Sequence, residues 1–191
     1  MRIVGGEWRG RRLAGPKAEG IRPTSDRLRE ALFNVLAHAY DDAAEGAVVL
    51  DLFAGTGALG FEALSRGAVR AIFVDEGRQA GALIRDGIAV LGCGSRARLV
   101  PRDATRLGPA TDGPATLVFC DPPYRKNLAP AALAAAAGGG WLNPGALVLV
   151  EEAAEAGPVL PLGFSELERR SYGETVVTFG RFEVQGGSAS V

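Results

Sequence analysis

Three short apolar runs each stop on an aspartate. Ala47-Val48-Val49-Leu50 runs into Asp51, Ala71-Ile72-Phe73-Val74 into Asp75, and Thr116-Leu117-Val118-Phe119-Cys120 into Asp121. Runs of four or five unbroken apolar residues fit strands covered on both faces, which means a parallel sheet with helices packed on it. The intervening segments supply those helices. One follows the glycine turn at 55–57 through Leu59, Phe61, Ala63 and Leu64; another spans about 78–91, where Gly81 and Gly87 each cost about 1 kcal/mol relative to alanine; a third is the alanine-rich 129–137, stopped by Gly138-Gly139-Gly140. Arg98-Leu99-Val100 and Ala146–Val150 read as further strands, and a final pair near 165–172 and 174–182 has no helix between its members. The alternation predicts an α/β fold with a mostly parallel, doubly wound sheet and one antiparallel C-terminal strand. Ligands of such sheets bind beyond the carboxyl ends of the strands, where these three aspartates stand.

The rest of the composition narrows the chemistry. A chain of 191 residues, 47% hydrophobic, can bury a core without staples. It holds no run of about 18 apolar residues, and MRIVGGEWRGRR lacks the apolar centre of a signal peptide, so a cytoplasmic protein is expected. Two cysteines without metal spacing and a single histidine argue against a metal site or a serine–histidine–aspartate triad. Leu28, Ala31, Leu32, Val35, Leu36 and Ala39 form one face of an amphipathic helix with Thr24 as its expected N-cap, and His38 falls off that face. The net charge of −1 conceals a basic end: residues 1–29 hold eight basic side chains against three acidic ones. Arg2–Leu13, punctuated by glycines, reads as a short β-hairpin with Trp8 and arginines near its turn, and such an end can dock on a polyanion.

Gly55-Thr56-Gly57-Ala58-Leu59-Gly60 matches G-x-G-x-x-G, with Asp75 twenty residues after Gly55. By its letter this is a dinucleotide fingerprint. Its flank differs, because Asp51-Leu52-Phe53-Ala54 intervenes and leaves a carboxylate at the strand tip. A carboxylate there disfavours pyrophosphate at the helix N-terminus and suits an ammonium group. S-adenosylmethionine carries that ammonium, a sulfonium, and a ribose for Asp75. The expected cofactor contacts are therefore Asp51, Phe53, Ala54, Gly55, Thr56, Gly57 and Asp75, with Asp103 and Ala104 after the third strand toward the adenine. Asp75 and Asp103 are equally placed to cap helices.

Asp121-Pro122-Pro123-Tyr124 follows the fourth strand directly. The prolines fix the backbone and remove two donors, leaving acceptors, the Asp121 carboxylate and the Pro122 carbonyl, beside an aromatic face. That set suits a planar molecule bearing an –NH₂ group. Holding both N–H bonds turns the amine's lone pair outward, and a carboxylate stabilises the positive charge that develops on nitrogen during attack. Asp121, Pro122, Pro123 and Tyr124 are the expected catalytic residues, while Cys120 reads as a small buried hydrophobe.

Together with Gly6-Glu7-Trp8-Arg9-Gly10-Arg11 and Arg22-Pro23-Thr24-Ser25-Asp26-Arg27-Leu28-Arg29-Glu30, these motifs resemble the bacterial 16S rRNA guanine-N2 methyltransferases, the D type of the small-subunit rRNA enzymes, over residues 1–182. The resemblance implies a Rossmann-like S-adenosylmethionine-dependent methyltransferase fold, a guanine of 16S rRNA in the small ribosomal subunit as target, and a hairpin that helps recognise RNA. The candidate RNA contacts are Arg2, Trp8, Arg9, Arg11, Arg12, Arg22 and Arg27. The expected organisation is an RNA-recognition extension over 1–40, a methyltransferase domain over 41–184 and a disordered tail over 185–191, in a monomer without metal. An N6-adenine or glutamine-N5 methyltransferase shares the catalytic motif, and an NAD-dependent oxidoreductase shares the literal glycine fingerprint.

Overall fold

The computed structural model describes residues 1–15, 25–123, 126–155 and 160–183. Its elements in chain order are α1 (Asp26–Ala39), β1 (Val48–Leu52), α2 (Ala58–Ser65), β2 (Arg70–Val74), α3 (Arg78–Leu91), β3 (Ala97–Val100), a 3-10 turn (Ala104–Arg106), β4 (Ala115–Cys120), α4 (Ala129–Gly138), β5 (Leu142–Ala153), β6 (Phe164–Tyr172) and β7 (Thr175–Phe182). The strands form one sheet in the order β3-β2-β1-β4-β5-β7-β6. Pairing is parallel from β3 to β5, and β7 runs antiparallel to both β5 and β6. This is the mostly parallel Rossmann-like sheet with an inserted antiparallel strand that the sequence predicts. The strand order reverses between β1 and β4, which sets the switch point between Asp51 and Asp121.

Alternation along the strands sorts the core into two layers. Val49, Phe73, Phe119 and Leu149 face α1, α2 and α3, while Leu50, Val74, Val118 and Val150 face α4. Phe33, Phe61, Phe73 and Phe119 are fully buried on the first face, each contributing about 1.5–3 kcal/mol by burial. α3 runs unbroken through its glycines, and one of them has a packing reason: a Cβ on Gly87 would stand 2.6 Å from the Phe61 ring.

Two expectations at the N-terminal end change. Ser25, not Thr24, caps α1, its hydroxyl accepting from the Leu28 amide at 3.1 Å; Thr24 itself lies outside the described residues. The arm of residues 1–13 folds back as a hairpin, but only Arg2 and Arg12 form a bridge, with Ile3 donating to the Arg11 carbonyl and Leu13 to that of Met1. Gly6 and Gly10, at φ 74° and 84°, turn the chain too tightly for a longer ladder. Ile3, Trp8 and Leu13 of the arm join the same core layer as α1 and α2. The tail after Glu183 lies outside the described residues, as does the expectation of its disorder.

Candidate active site

The carboxyl ends of β1, β2, β3, β4 and β5 open into one cleft of about 1680 Å³, larger than the about 300–1,000 Å³ typical of a single small-molecule site. Asp51, Phe53, Ala54, Gly55 and Thr56 line it from the β1 side, Asp75 from β2, and Asp103 with Ala104 from the segment after β3. Asp121, Pro122 and Pro123 enter from β4, Glu151 from β5, and the first turn of α1 and the β6–β7 turn complete the wall. The glycine-loop motif and the Asp121-Pro122-Pro123 turn, about seventy residues apart in sequence, thus meet at one rim of the sheet.

Asp51 is the most deeply placed of these carboxylates. It is wholly buried, and its Oδ2 accepts from the Gly60 amide at 3.0 Å. Burial, helped by the charge of Asp75 and opposed by the Gly60 hydrogen bond, pushes its pKa up to about 8. Asp75 bridges two backbone turns, its Oδ2 accepting from Gly55 and its Oδ1 from Gly77, each at 2.8 Å. It holds the glycine loop against the start of α3, whose N-cap is Gly77. Asp103 caps the 3-10 turn, taking the Thr105 amide at 2.8 Å and the Thr105 hydroxyl at 2.7 Å, and these bonds lower its pKa.

The glycines of the loop act chiefly by letting helix and strand approach. Gly57 caps α2 in the left-handed region at φ 75°, and Gly60 sits where a Cβ would come within 2.4 Å of the Phe73 ring. Gly57, expected at the cofactor, lies buried beneath the loop and does not line the cleft. Phe53, at the strand tip, takes φ 59°, a conformation that costs a non-glycine residue about 1–3 kcal/mol and that strained functional loops retain.

β4 ends with Cys120 buried and its thiol pushed well above the ordinary value by that burial, so it is no nucleophile. The Asp121 amide still donates to the Leu52 carbonyl at 3.4 Å, continuing the ladder, and Pro122 is buried where the chain leaves the sheet. Tyr124 lies outside the described residues, and so does Arg22.

Sequence reasoning missed the device that fixes the arm to this site. Glu62, the one charge in the apolar helix ALGFEALS, is wholly buried and accepts from the amides of Val4 at 2.9 Å and Gly5 at 2.8 Å, and from Arg66 Nε at 2.8 Å. Ser65 Oγ takes the Trp8 amide at 2.9 Å and donates to the Gly5 carbonyl at 2.6 Å. Arg29, counted with the basic arm by its charge, is buried between Asp26 and Glu62. Trp8 is only 6% exposed and lies beneath the Arg96 guanidinium, so its ring is part of the core and is not presented to RNA. Arg2, Arg9, Arg11, Arg12 and Arg27 are exposed. Arg2, Arg9 and Arg27 border a smaller hollow beside α1 together with Asp26 and Glu30, and Arg27 borders the main cleft too.

The family described as "Conserved hypothetical protein 95" matches residues 1–181. Ribosomal RNA small subunit methyltransferase D of Escherichia coli K12 is 39% identical over 189 residues, covering 98% of this chain and 93% of the relative. The protein of the same name from Haemophilus influenzae is 35% identical over 91% of this chain and 89% of its own. The chain belongs to the small-subunit methyltransferase D family. A solved structure, the putative methyltransferase yhhF from E. coli, superposes with a TM-score of 0.82 at 38% identity, covering 97% of this chain and 99% of that one. The methyltransferase fold expected of this family is therefore present. Among the described residues no cluster of three or more potential ligands could hold a metal ion, and no helix is long and apolar enough to cross a membrane.

Proposed function

We propose that this chain transfers a methyl group from S-adenosylmethionine to the exocyclic N2 amine of a guanine in the 16S rRNA of the small ribosomal subunit. The observation that carries this reading is the meeting, in one cleft, of the Asp51–Gly55–Asp75 wall and the Asp121-Pro122 turn. The carboxylate-rich first wall fits the cofactor: Asp51 would hold the ammonium, Asp75 the ribose hydroxyls, and the Asp103–Ala104 segment the adenine, with Phe53, Ala54, Gly55 and Thr56 along its length. When bound, S-adenosylmethionine supplies an electrophilic methyl carbon on a sulfonium and leaves as a neutral thioether. Asp121 and the Pro122 carbonyl accept the two N–H bonds of the amine, and Asp121 stabilises the positive charge as the nitrogen–methyl bond forms and the methyl–sulfur bond breaks, after which the nitrogen gives one N–H proton to water. Pro123 stiffens the turn, and Tyr124 provides a face on which the base stacks, worth about 1–3 kcal/mol. The extension over 1–40 serves RNA recognition and the body over 41–184 the chemistry. One copy of the chain carries every residue named, which fits a monomer working in the cytoplasm, where ribosomal subunits are assembled.

The test is incubation of the protein with unmethylated small subunits and labelled S-adenosylmethionine, followed by identification of the product. N2-methylguanosine in 16S rRNA is expected. N6-methyladenosine, or label in a ribosomal protein, would assign the same catalytic turn to another target, and tight NAD binding without methyl transfer would overturn the reading altogether.

Asp51 gives the cofactor assignment a signature in proton counting. Its pKa of about 8 exceeds the unfolded value of about 3.9, so it is mostly protonated in the free protein at pH 7 and destabilises the fold as pH rises toward 8. A bound ammonium favours the ionised form, so cofactor binding at pH 7 is expected to release close to one proton. Calorimetry in buffers of different ionisation enthalpy reads this directly. Asp51→Asn should abolish the release and weaken cofactor binding at least about tenfold; undiminished release from the variant would remove Asp51 from the ammonium site.

The arm is best tested by charge, since Ile3, Trp8 and Leu13 are core and truncation would remove them. Reversal of the exposed pair Arg9 and Arg12 to glutamate should raise KM for subunits, flatten its salt dependence and leave cofactor affinity unchanged. An unchanged KM at physiological salt would take these residues out of RNA binding.

A further inference from the structure

The cleft contains a carboxylate that neither the cofactor wall nor the Asp121 turn employs. β4 and β5 run parallel with Cys120 opposite Val150, so the next residues along the two strands are Asp121 and Glu151. Alternation puts both on the face that carries Phe119 and Leu149, the face of α1. Glu151 is 7% exposed and lines the same cleft as Asp121 and Pro122. Glu151 directly follows the apolar run of β5 and stays within the sheet, with Val177 of β7 opposite it.

A second carboxylate next to an amine-holding one has a specific chemical meaning. The edge of guanine that bears the N2 amine presents a second donor beside it, the ring N1–H. In adenine and cytosine the ring nitrogen beside the exocyclic amine is a bare acceptor. Two neighbouring acceptor groups on the protein therefore match guanine and oppose the other amino bases, for which a buried carboxylate would face a lone pair.

We propose that Glu151 is the base-specificity residue of this site, accepting a hydrogen bond from N1–H of the target guanine while Asp121 and the Pro122 carbonyl hold its N2 amine. This rests on the reading of the target as a guanine amine. Glu151 selects which base presents its amine, and Asp121 serves the transfer itself.

The test compares guanine with 2-aminopurine, which keeps the 2-amine but has a bare acceptor at N1, in small subunits reconstituted with 16S rRNA carrying either base at the modified position. Wild type should prefer guanine by at least about 10²-fold in kcat/KM. Glu151→Gln, whose amide can donate to the bare N1, should lose about 10–100-fold on guanine and narrow the preference to within about tenfold, with S-adenosylmethionine affinity unchanged by calorimetry. Equal use of both bases by the wild type would overturn the proposal without any variant being made. So would a Glu151→Gln protein that keeps wild-type kcat/KM and preference, or one that loses cofactor affinity in step with activity. A wild type that methylates no guanine would instead sink the reading of the target, and that result appears in the first control, before Glu151 is tested.

Discussion

Asp121→Ala is expected to lower kcat/KM for methyl transfer to small subunits by at least about 10²–10³-fold, while S-adenosylmethionine binds within about threefold of wild type. The argument is one of position. Asp121 follows β4 at the strand-order switch, and the two prolines after it fix the backbone so that the Pro122 carbonyl is held beside it as a second acceptor, with Glu151 on the neighbouring strand assigned to the ring nitrogen rather than to the amine. Few other groups could replace it. The Cys120 thiol is buried and held neutral, and His38 is exposed in the last turn of α1, whereas the cleft is lined by that helix's first turn. Asp51 and Asp75 stand at the ends of β1 and β2, anchored by the Gly60, Gly55 and Gly77 amides on the wall assigned to the cofactor. Asp121→Asn keeps one acceptor oxygen and should fall between the two. Labelled-methyl incorporation measures the rate and calorimetry the cofactor affinity; a variant with full activity would end the proposed role of Asp121, and one with lost cofactor binding would move Asp121 to the other side of the cleft.

The strand-end aspartates were legible because a parallel strand covered on both faces is an unbroken apolar run, and a charge that ends it marks the sheet rim. Asp51, Asp75 and Asp121 reach the cleft for that reason. Glu151 carries the same signal, an acidic residue directly after the apolar run Ala146–Val150, but that signal does not show that the residue stays inside the sheet. The apolar run ends at Val150, but the strand continues to Ala153 because β7, distant in sequence, supplies its hydrogen bonds. A partner strand overrode the local pattern. Side-chain roles inside the arm were hidden likewise. Arg29 counts by sequence toward the basic end and Trp8 as a candidate RNA contact, and both are buried by contacts more than twenty residues away, Arg29 with Glu62 and Trp8 with Ser65 and Arg96. The usable clue was Glu62 itself, because a lone carboxylate in a helix that is apolar all round must find buried donors. What the sequence could not indicate is that those donors are the backbone of residues 4 and 5.

Glu62→Ala is accordingly expected to be among the most damaging single substitutions outside the catalytic turn. Removing the carboxylate strands the Val4 and Gly5 amides and takes from Arg29 its partner on α2, leaving Asp26 and the Arg2 carbonyl. Breaking a buried ion pair from one side costs about 3–5 kcal/mol, because the remaining charge stays buried. For a chain of this length that corresponds to a fall in Tm of about 6–20 °C. Glu62→Gln keeps one acceptor and should lose less. The consequence for function follows from what the contact holds: with the arm released from α2, Arg2 and Arg9 lose their place beside Arg27, so KM for subunits should rise more than kcat falls at temperatures where the variant remains folded. Thermal unfolding and subunit kinetics, measured on the same preparation, separate the two effects. A Tm within about 2 °C of wild type would show that the arm is held by its apolar contacts alone, through Ile3, Trp8 and Leu13, and that the buried carboxylate contributes geometry without net stability.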